Sequence, residues 1–353
     1  MKKHNRHTPC LISLFIIPTI ILFSCNQNFS QLSKKENKYN LTTVIDLKDI
    51  NYSQKIETFY NSGKEGVFNG KANIKIYYKI FEQANTQKAI LISSGRTEAA
   101  IKYKELIFDL FNNGYSVYIH DHRGQGLSGR ITENQEMGYI DTFQFYIDDM
   151  NHFYTHYLKP KNYKKTYLLA HSMGGAIGMT YLEQYPTHFN AAAFSSPMLG
   201  LKPGICSVVK LLDGDKPKYA IGESGYNANE ATFKDNTLTG SKVRYDRMIN
   251  AFAKTPEAKL GGATYHWINK SCLQFEYLFD NIDKIKTPFI LFSAENEQIV
   301  YPYAHQKFIT AAKELGKYCM AYEVENAQHE LLIEKDEQRI ETINETLDFY
   351  HKY

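Results

Sequence analysis

Ser172 lies in the run Thr166-Tyr-Leu-Leu-Ala170-His-Ser172-Met-Gly-Gly175, where an apolar segment passes through small residues into a helical pattern at Ile177, Tyr181 and Leu182. The apolar segment reads as a buried parallel strand. The frame Ala170-His-Ser172-Met-Gly174 is a G-x-S-x-G nucleophile elbow with alanine in the first position. Small residues are required because the strand-to-helix turn is sharp, and the turn exposes the hydroxyl at the N-terminus of the following helix. A serine hydroxyl attacks poorly until a base takes its proton, so Ser172 needs a histidine oriented by a carboxylate. Candidates follow in chain order: Glu295 and Glu297 after the strand predicted at 288–292, then His329, the only histidine between the last predicted strand and the final helix. A tetrahedral oxyanion needs two converging backbone N–H groups. Met173, next after the serine, supplies one. The loop Ser93-Ser94-Gly95-Arg96-Thr97-Glu98 supplies the other from Arg96, with Gly95 allowing close backbone approach.

Other reactive residue types read as structural. Asp121-His-Arg-Gly-Gln-Gly-Leu-Ser128 carries an acid, a histidine and an arginine, but its place after the second parallel strand suits a structural loop. The His171 side chain should diverge from Ser172 at the turn, which excludes it as the base. Core packing suits His266 and Trp267 better than lining a pocket. The Arg96 side chain reads as structural, with phosphate binding as the alternative. No Cys/His spacing suggests a metal, and no organic cofactor is implied.

Strand–turn–helix alternation is needed to position these groups. Strands are predicted at 88–92, 115–120, 166–170 and 191–195, with helices around 99–113 and 142–157, after an antiparallel edge pair between 66 and 81. This rhythm implies an α/β protein with a mostly parallel central sheet and helices on both faces. It breaks between about 197 and 285, where Ile205, Val208, Val209 and Leu212 recur at helical spacing. The expected organisation is a core over 56–198 and 286–353, interrupted by a helical cap at 199–285.

The N-terminus reads as an address. Lys2, Lys3 and Arg6 precede an apolar run that ends in Leu22-Phe-Ser-Cys25. Residues 1–24 are expected to be a lipoprotein-type signal peptide and Cys25 the lipidated residue, followed by a polar tether over 25–55. The alternatives are a simple anchor and a soluble secreted form. The localisation expected is the bacterial cell envelope, with the domain anchored in a membrane and facing the periplasm or exterior. Removing residues 1–24 takes away three basic residues and leaves 38 basic against 38 acidic, so no bulk field recruits nucleic acid. Cys206, Cys272 and Cys319 read as buried thiols.

Four segments together resemble the bacterial lysophospholipase and monoglyceride-lipase branch of the α/β-hydrolase superfamily, of serine aminopeptidase S33 type: Ser94–Glu98, Asp121–Ser128, Ala170–Gly175 and the His329 loop. Lys102-Tyr103, Gly129-Arg130, Gly261–Trp267 and Glu334-Lys-Asp336 are similar to the lysophospholipases. Ser94 stands where monoglyceride lipases carry histidine, and Glu297 where many members carry aspartate. The resemblance implies the α/β-hydrolase fold, with Ser172, Glu297 and His329 at the triad positions and Arg96 and Met173 at the oxyanion positions. The implied activity is acyl-ester cleavage in a single-chain lipid, a lysophospholipid first, through an acyl-enzyme. Alternatives are a monoacylglycerol lipase or carboxylesterase, an acyltransferase, and a lipid-binding lipoprotein with a vestigial site. No obligate protein partner is evident.

Overall fold

The computed structural model describes residues 28–32, 36–226 and 232–353. The signal peptide and Cys25 lie outside them. The strands are β1 (Ser30–Gln31), β2 (Lys64–Asn69), β3 (Lys75–Phe81), β4 (Lys88–Ser93), β5 (Ser116–His120), β6 (Lys165–His171), β7 (Ala191–Ser195), β8 (Phe289–Ala294) and β9 (Cys319–Val324). They form one sheet in the order β1-β9-β8-β7-β6-β4-β5-β3-β2. Every pairing is parallel except β2 with β3 and β3 with β5, which form the antiparallel edge.

Side chains alternate across the sheet with period two. Leu91, Leu168, Ala170 and Leu291 point into one core, with α4 (Gln144–Phe153), α5 (Met173–Gln184) and α9 (Pro302–Glu314). Ile90, Ile92, Tyr167, Leu169 and Ile290 point into the other, with α3 (Lys104–Asn112) and α10 (Asp336–Lys352). Burial on both faces explains why the central strands read as continuous apolar runs.

The interval between β7 and β8 holds α6 (Ile205–Leu212), α7 (Lys242–Lys254) and α8 (Tyr265–Asp280). They are not equally detached. Trp267, Cys272, Phe275 and Leu278 of α8 enter the same core as α5, so this helix is continuous with the main body. On α7, Arg244 is buried and ties the cap to the body. Its guanidinium contacts Glu105 at 2.9 Å, Asp336 at 2.8 Å and the carbonyls of Thr42 and Glu334.

Two expectations need correction. Residues 36–55, read as tether, are packed against the domain. Thr43 and Asp46 form a capping box that starts α1 (Val44–Lys48), and Asp49 caps α2 (Ile50–Ser62). Leu41, Leu47, Ile56 and Tyr60 are buried, and Thr42 donates from N and Oγ1 to Asp109, which is held in turn by Arg339 at 2.6 Å. Apart from Thr42, the polar side chains of this segment are exposed or half-buried. The second correction concerns cysteine. Cys206 and Cys272 form a disulfide joining α6 to α8, and Cys319 is a free thiol. Nothing in the spacing of 66 residues announced the pair.

The bridge closes a loop that contains α7 and one wall of the pocket described below. Cys206→Ser with Cys272→Ser is expected to cost about 2–4 kcal/mol, as cross-links over loops of this length do. Chemical denaturation measures that loss, and a non-reduced digest should yield one 206–272 linked peptide with Cys319 alkylatable.

Candidate active site

The site is built on the turn after β6. Ser172 has φ 51° and ψ −120°, a left-handed conformation that residues with a side chain rarely adopt. The turn is clamped from both sides. Ser172 N donates to Ser195 O at 3.1 Å, and Met198 N donates to Ser172 O at 2.8 Å. Gly174 and Gly175 are needed for contact: a Cβ on Gly174 would stand 2.1 Å from Ser93 O, and one on Gly175 2.4 Å from Pro197 Cβ. Close approach of β4, β6 and β7 at this corner therefore requires both glycines.

The structure brings Ser172, His329 and Glu297 into one chain of hydrogen bonds. His329 Nε2 lies 2.9 Å from Ser172 Oγ, and Nδ1 lies 2.7 Å from Glu297 Oε2. An ionised carboxylate only accepts, so Nδ1 carries the proton donated to Glu297 and Nε2 accepts the serine hydroxyl. The other Glu297 oxygen accepts the amides of Ile299 at 2.8 Å and Val300 at 3.1 Å. Burial would raise the pKa of this carboxylate, but its bond to His329 and the two amides hold it below the ordinary value. Glu295 does not reach the imidazole. Its carboxylate accepts Asn326 N at 2.7 Å and fastens the acid loop to the histidine loop.

Arg96 lines the same pocket as Ser172 and His329. In its loop, Gly95 N donates to Glu98 Oε2 at 2.5 Å and Thr97 N to Gln125 Oε1 at 3.3 Å. Neighbouring amides are thus committed, whereas the Arg96 and Met173 amides donate to no other protein group among the described residues. The Arg96 guanidinium turns to the cap, 3.2 Å from Gly261 O, 3.7 Å from Glu223 and over the Trp267 ring.

The Asp121–Ser128 loop shapes the site from below. Asp121 accepts the amides of Ala100 and Leu127, and Gln125 Nε2 donates to Gly95 O at 2.7 Å and Glu98 O at 2.9 Å. His266 pairs with Asp213 and Trp267 donates to Tyr146; neither lines the pocket. Sequence reasoning missed His305. This buried ring donates from Nε2 to Pro197 O at 2.7 Å and accepts from Ser293 Oγ, which braces the loop behind Gly175. Burial lowers its pKa to about 4, so it stays neutral. Only its place on α9, facing β7 and β8, could have revealed it.

The pocket above Ser172 has a volume of about 510 Å³. Leu238, Met248, Ile249, Phe252, Leu260 and Ile299 give it an apolar wall, and Arg96, Asp235 and Lys259 bring charge. The Lys259 ammonium lies over the Tyr226 ring at 4.9 Å and has no ion pair among the described residues. Gly174→Ala should force Ser93 and the serine turn apart, lowering stability by about 1–3 kcal/mol, the usual cost of overpacking. Thermal unfolding would register this loss, together with slower labelling of Ser172 by a phosphonate.

Comparison with known proteins agrees with this architecture. Residues 84–336 match the family model described as serine aminopeptidase, S33. Lysophospholipase L2 of Escherichia coli strain K12 is 33% identical over 334 residues, spanning 90% of this chain and 94% of its own. The probable lysophospholipase L2 of Haemophilus influenzae is 34% identical over 289 residues, spanning 80% of this chain and 90% of its own. A soluble variant of the monoglyceride lipase of Saccharomyces cerevisiae has the same fold, with a TM-score of 0.65 at 18% identity over 82% of this chain and 95% of that one. The chain belongs to the serine aminopeptidase S33 family of α/β-hydrolases, the family of the bacterial lysophospholipases L2.

Proposed function

We propose that this ester hydrolase cleaves the acyl ester of lysophospholipids, with Ser172 as nucleophile, His329 as general base and acid, and Glu297 as the orienting carboxylate. The observation that carries the reading is His329 bridging Ser172 and Glu297 at the floor of a half-apolar pocket. Ser172 Oγ attacks the ester carbonyl while His329 Nε2 takes its proton. The amides of Met173 and Arg96 receive the oxyanion. Collapse breaks the ester C–O bond, and the glycerol oxygen leaves with the proton from His329. Water then attacks the acyl-enzyme, gives its proton to His329, and the fatty acid departs as Ser172 recovers its hydrogen.

Substrate class rests on the relatives' names and on the pocket. Its apolar wall suits one acyl chain, and Lys259 beside Tyr226 suits a phosphate bearing an amine head group. A neutral monoacylglycerol would use the wall and not the lysine. The same reading puts the domain at a membrane surface, lipidated at Cys25 after removal of residues 1–24, in the cell envelope. Ser30 and Gln31 pair with β9, so only residues 26–29 lie between Cys25 and the sheet edge in sequence. Among the described residues no helix is long and apolar enough to cross a membrane, but Val208, Leu211, Leu212 and Ile221 are exposed on the cap, where they can meet lipid.

The test is fatty-acid release by residues 26–353 from lysophosphatidylcholine, lysophosphatidylethanolamine and monoacylglycerol offered side by side. Release should vanish in Ser172→Ala and fall by about 10⁴ in Glu297→Ala, the loss that accompanies a misoriented base, while Glu295→Ala, which loosens the loop and leaves the Glu297–His329 bond, should lose far less. Lys259→Met should raise KM for the lysophospholipids alone. Retained hydrolysis in Ser172→Ala refutes the mechanism, and release from monoacylglycerol alone moves the substrate to the neutral lipid. For the address, Cys25→Ala in the full chain should shift the protein from the detergent to the aqueous phase on phase separation; no shift removes the lipid anchor.

A further inference from the structure

Four buried charged groups meet beneath the triad, and the mechanism above uses none of them. Lys102 reaches both Glu98 and Glu330, the latter at 2.6 Å. His171 Nε2 lies 3.0 Å from Glu330 Oε2 and 3.6 Å from Glu98 Oε1. Its other nitrogen faces Ser195 O at 3.0 Å, an atom that can only accept. Nε2 stands within ion-pair reach of both carboxylates, which favours the imidazolium. Burial opposes that charge, and the two carboxylates outweigh it, raising the His171 pKa. Two carboxylates thus face two cations, with the Tyr103 hydroxyl also on Glu98. A metal could use Glu98, His171 and Glu330, but the Lys102 ammonium already occupies the space between the carboxylates.

The positions of the members in the chain give the cluster its meaning. Glu98 closes the loop of Arg96 by accepting Gly95 N; His171 directly precedes Ser172; Glu330 directly follows His329. The His171 and His329 rings are 4.9 Å apart. Three segments, each carrying one part of the catalytic apparatus, meet at this point: Lys102, on the helical turn that follows the Glu98 loop, binds Glu98 and Glu330, and these carboxylates face His171. We propose that Lys102, with Glu98, Glu330 and His171, is a positioning cluster that sets the serine, the imidazole and the oxyanion loop in mutual register. This rests on the reading of Ser172 and His329 as nucleophile and base. Removing one charge leaves another buried without a counter-ion, and the loops must shift to find solvent. A displacement of about 1 Å at a reacting centre slows chemistry by up to about a hundredfold.

The experiment compares Glu330→Gln, Lys102→Met, Lys102→Arg and the double variant Lys102→Met/Glu330→Gln with the parent. Active sites are titrated with a fluorophosphonate, and kcat and KM are expressed per titrated site. Near-isosteric Glu330→Gln should fold, keep KM within about twofold and lose about ten- to a hundredfold in kcat. Lys102→Arg should recover part of the Lys102→Met loss, and the double variant should be less impaired than the two single losses multiplied. A Glu330→Gln protein with parental kcat per site overturns the proposal. So does a loss that disappears once unfolded protein is discounted. Should Lys102→Met fail to fold, Glu330→Gln alone decides. A parent that hydrolyses esters without label at Ser172 overturns the catalytic assignment itself, and this proposal with it.

Discussion

The left-handed backbone at Ser172 is the constraint on which the rest of the site depends. A serine at φ 51° stores on the order of 1–3 kcal/mol. That conformation persists because the surroundings leave the chain no other path. Ser195 and Met198 bind its two backbone groups, and Gly174 and Gly175 let Ser93 and Pro197 press against the next turn of chain. The strain is supported by the adjacent buried strands β4, β6 and β7. In return the hydroxyl stands off the end of the sheet, where a base from another loop can reach it.

The groups around that serine arrive on loops, and loops need fastening. Glu297 is fixed by two amides of its own loop as well as by His329. Glu295 and Asn326 join the acid loop to the histidine loop, and His305 braces the segment behind the glycines. Beneath them, buried charges do what apolar packing does poorly: they specify direction. An ion pair fixes which atom faces which, at a desolvation cost that its partners must offset.

Buried charges also tie the cap to the body. Arg244 of the cap and Arg339 of the last helix both reach Glu105 and the Thr42 carbonyl, and Arg339 continues to Asp109. One buried network therefore holds the N-terminal segment, α3, the cap and α10 together. The pocket wall on α7 is consequently rigidly related to the body, while the disulfide secures α6 to α8. The N-terminal helices are part of the domain.

Local chemistry was legible in the sequence wherever it is written in adjacent residues. The elbow Ala170–Gly174 announces itself because strand, sharp turn and helix are contiguous; short apolar runs delimit β6, β7 and β8, and a 3.6-residue pattern delimits α10. The order serine, acid, histidine singled out His329. It left Glu295 and Glu297 both in play, two glutamates two residues apart that differ only in where the loop aims them, and the family resemblance favoured Glu297. Tertiary structure decided that choice, the Cys206–Cys272 pairing, the docking of residues 36–55 and the gathering of Glu98, Lys102, His171 and Glu330. Each of these depends on contacts between residues distant in the chain, and a residue's type records what it can bond with but not what the fold will bring to it.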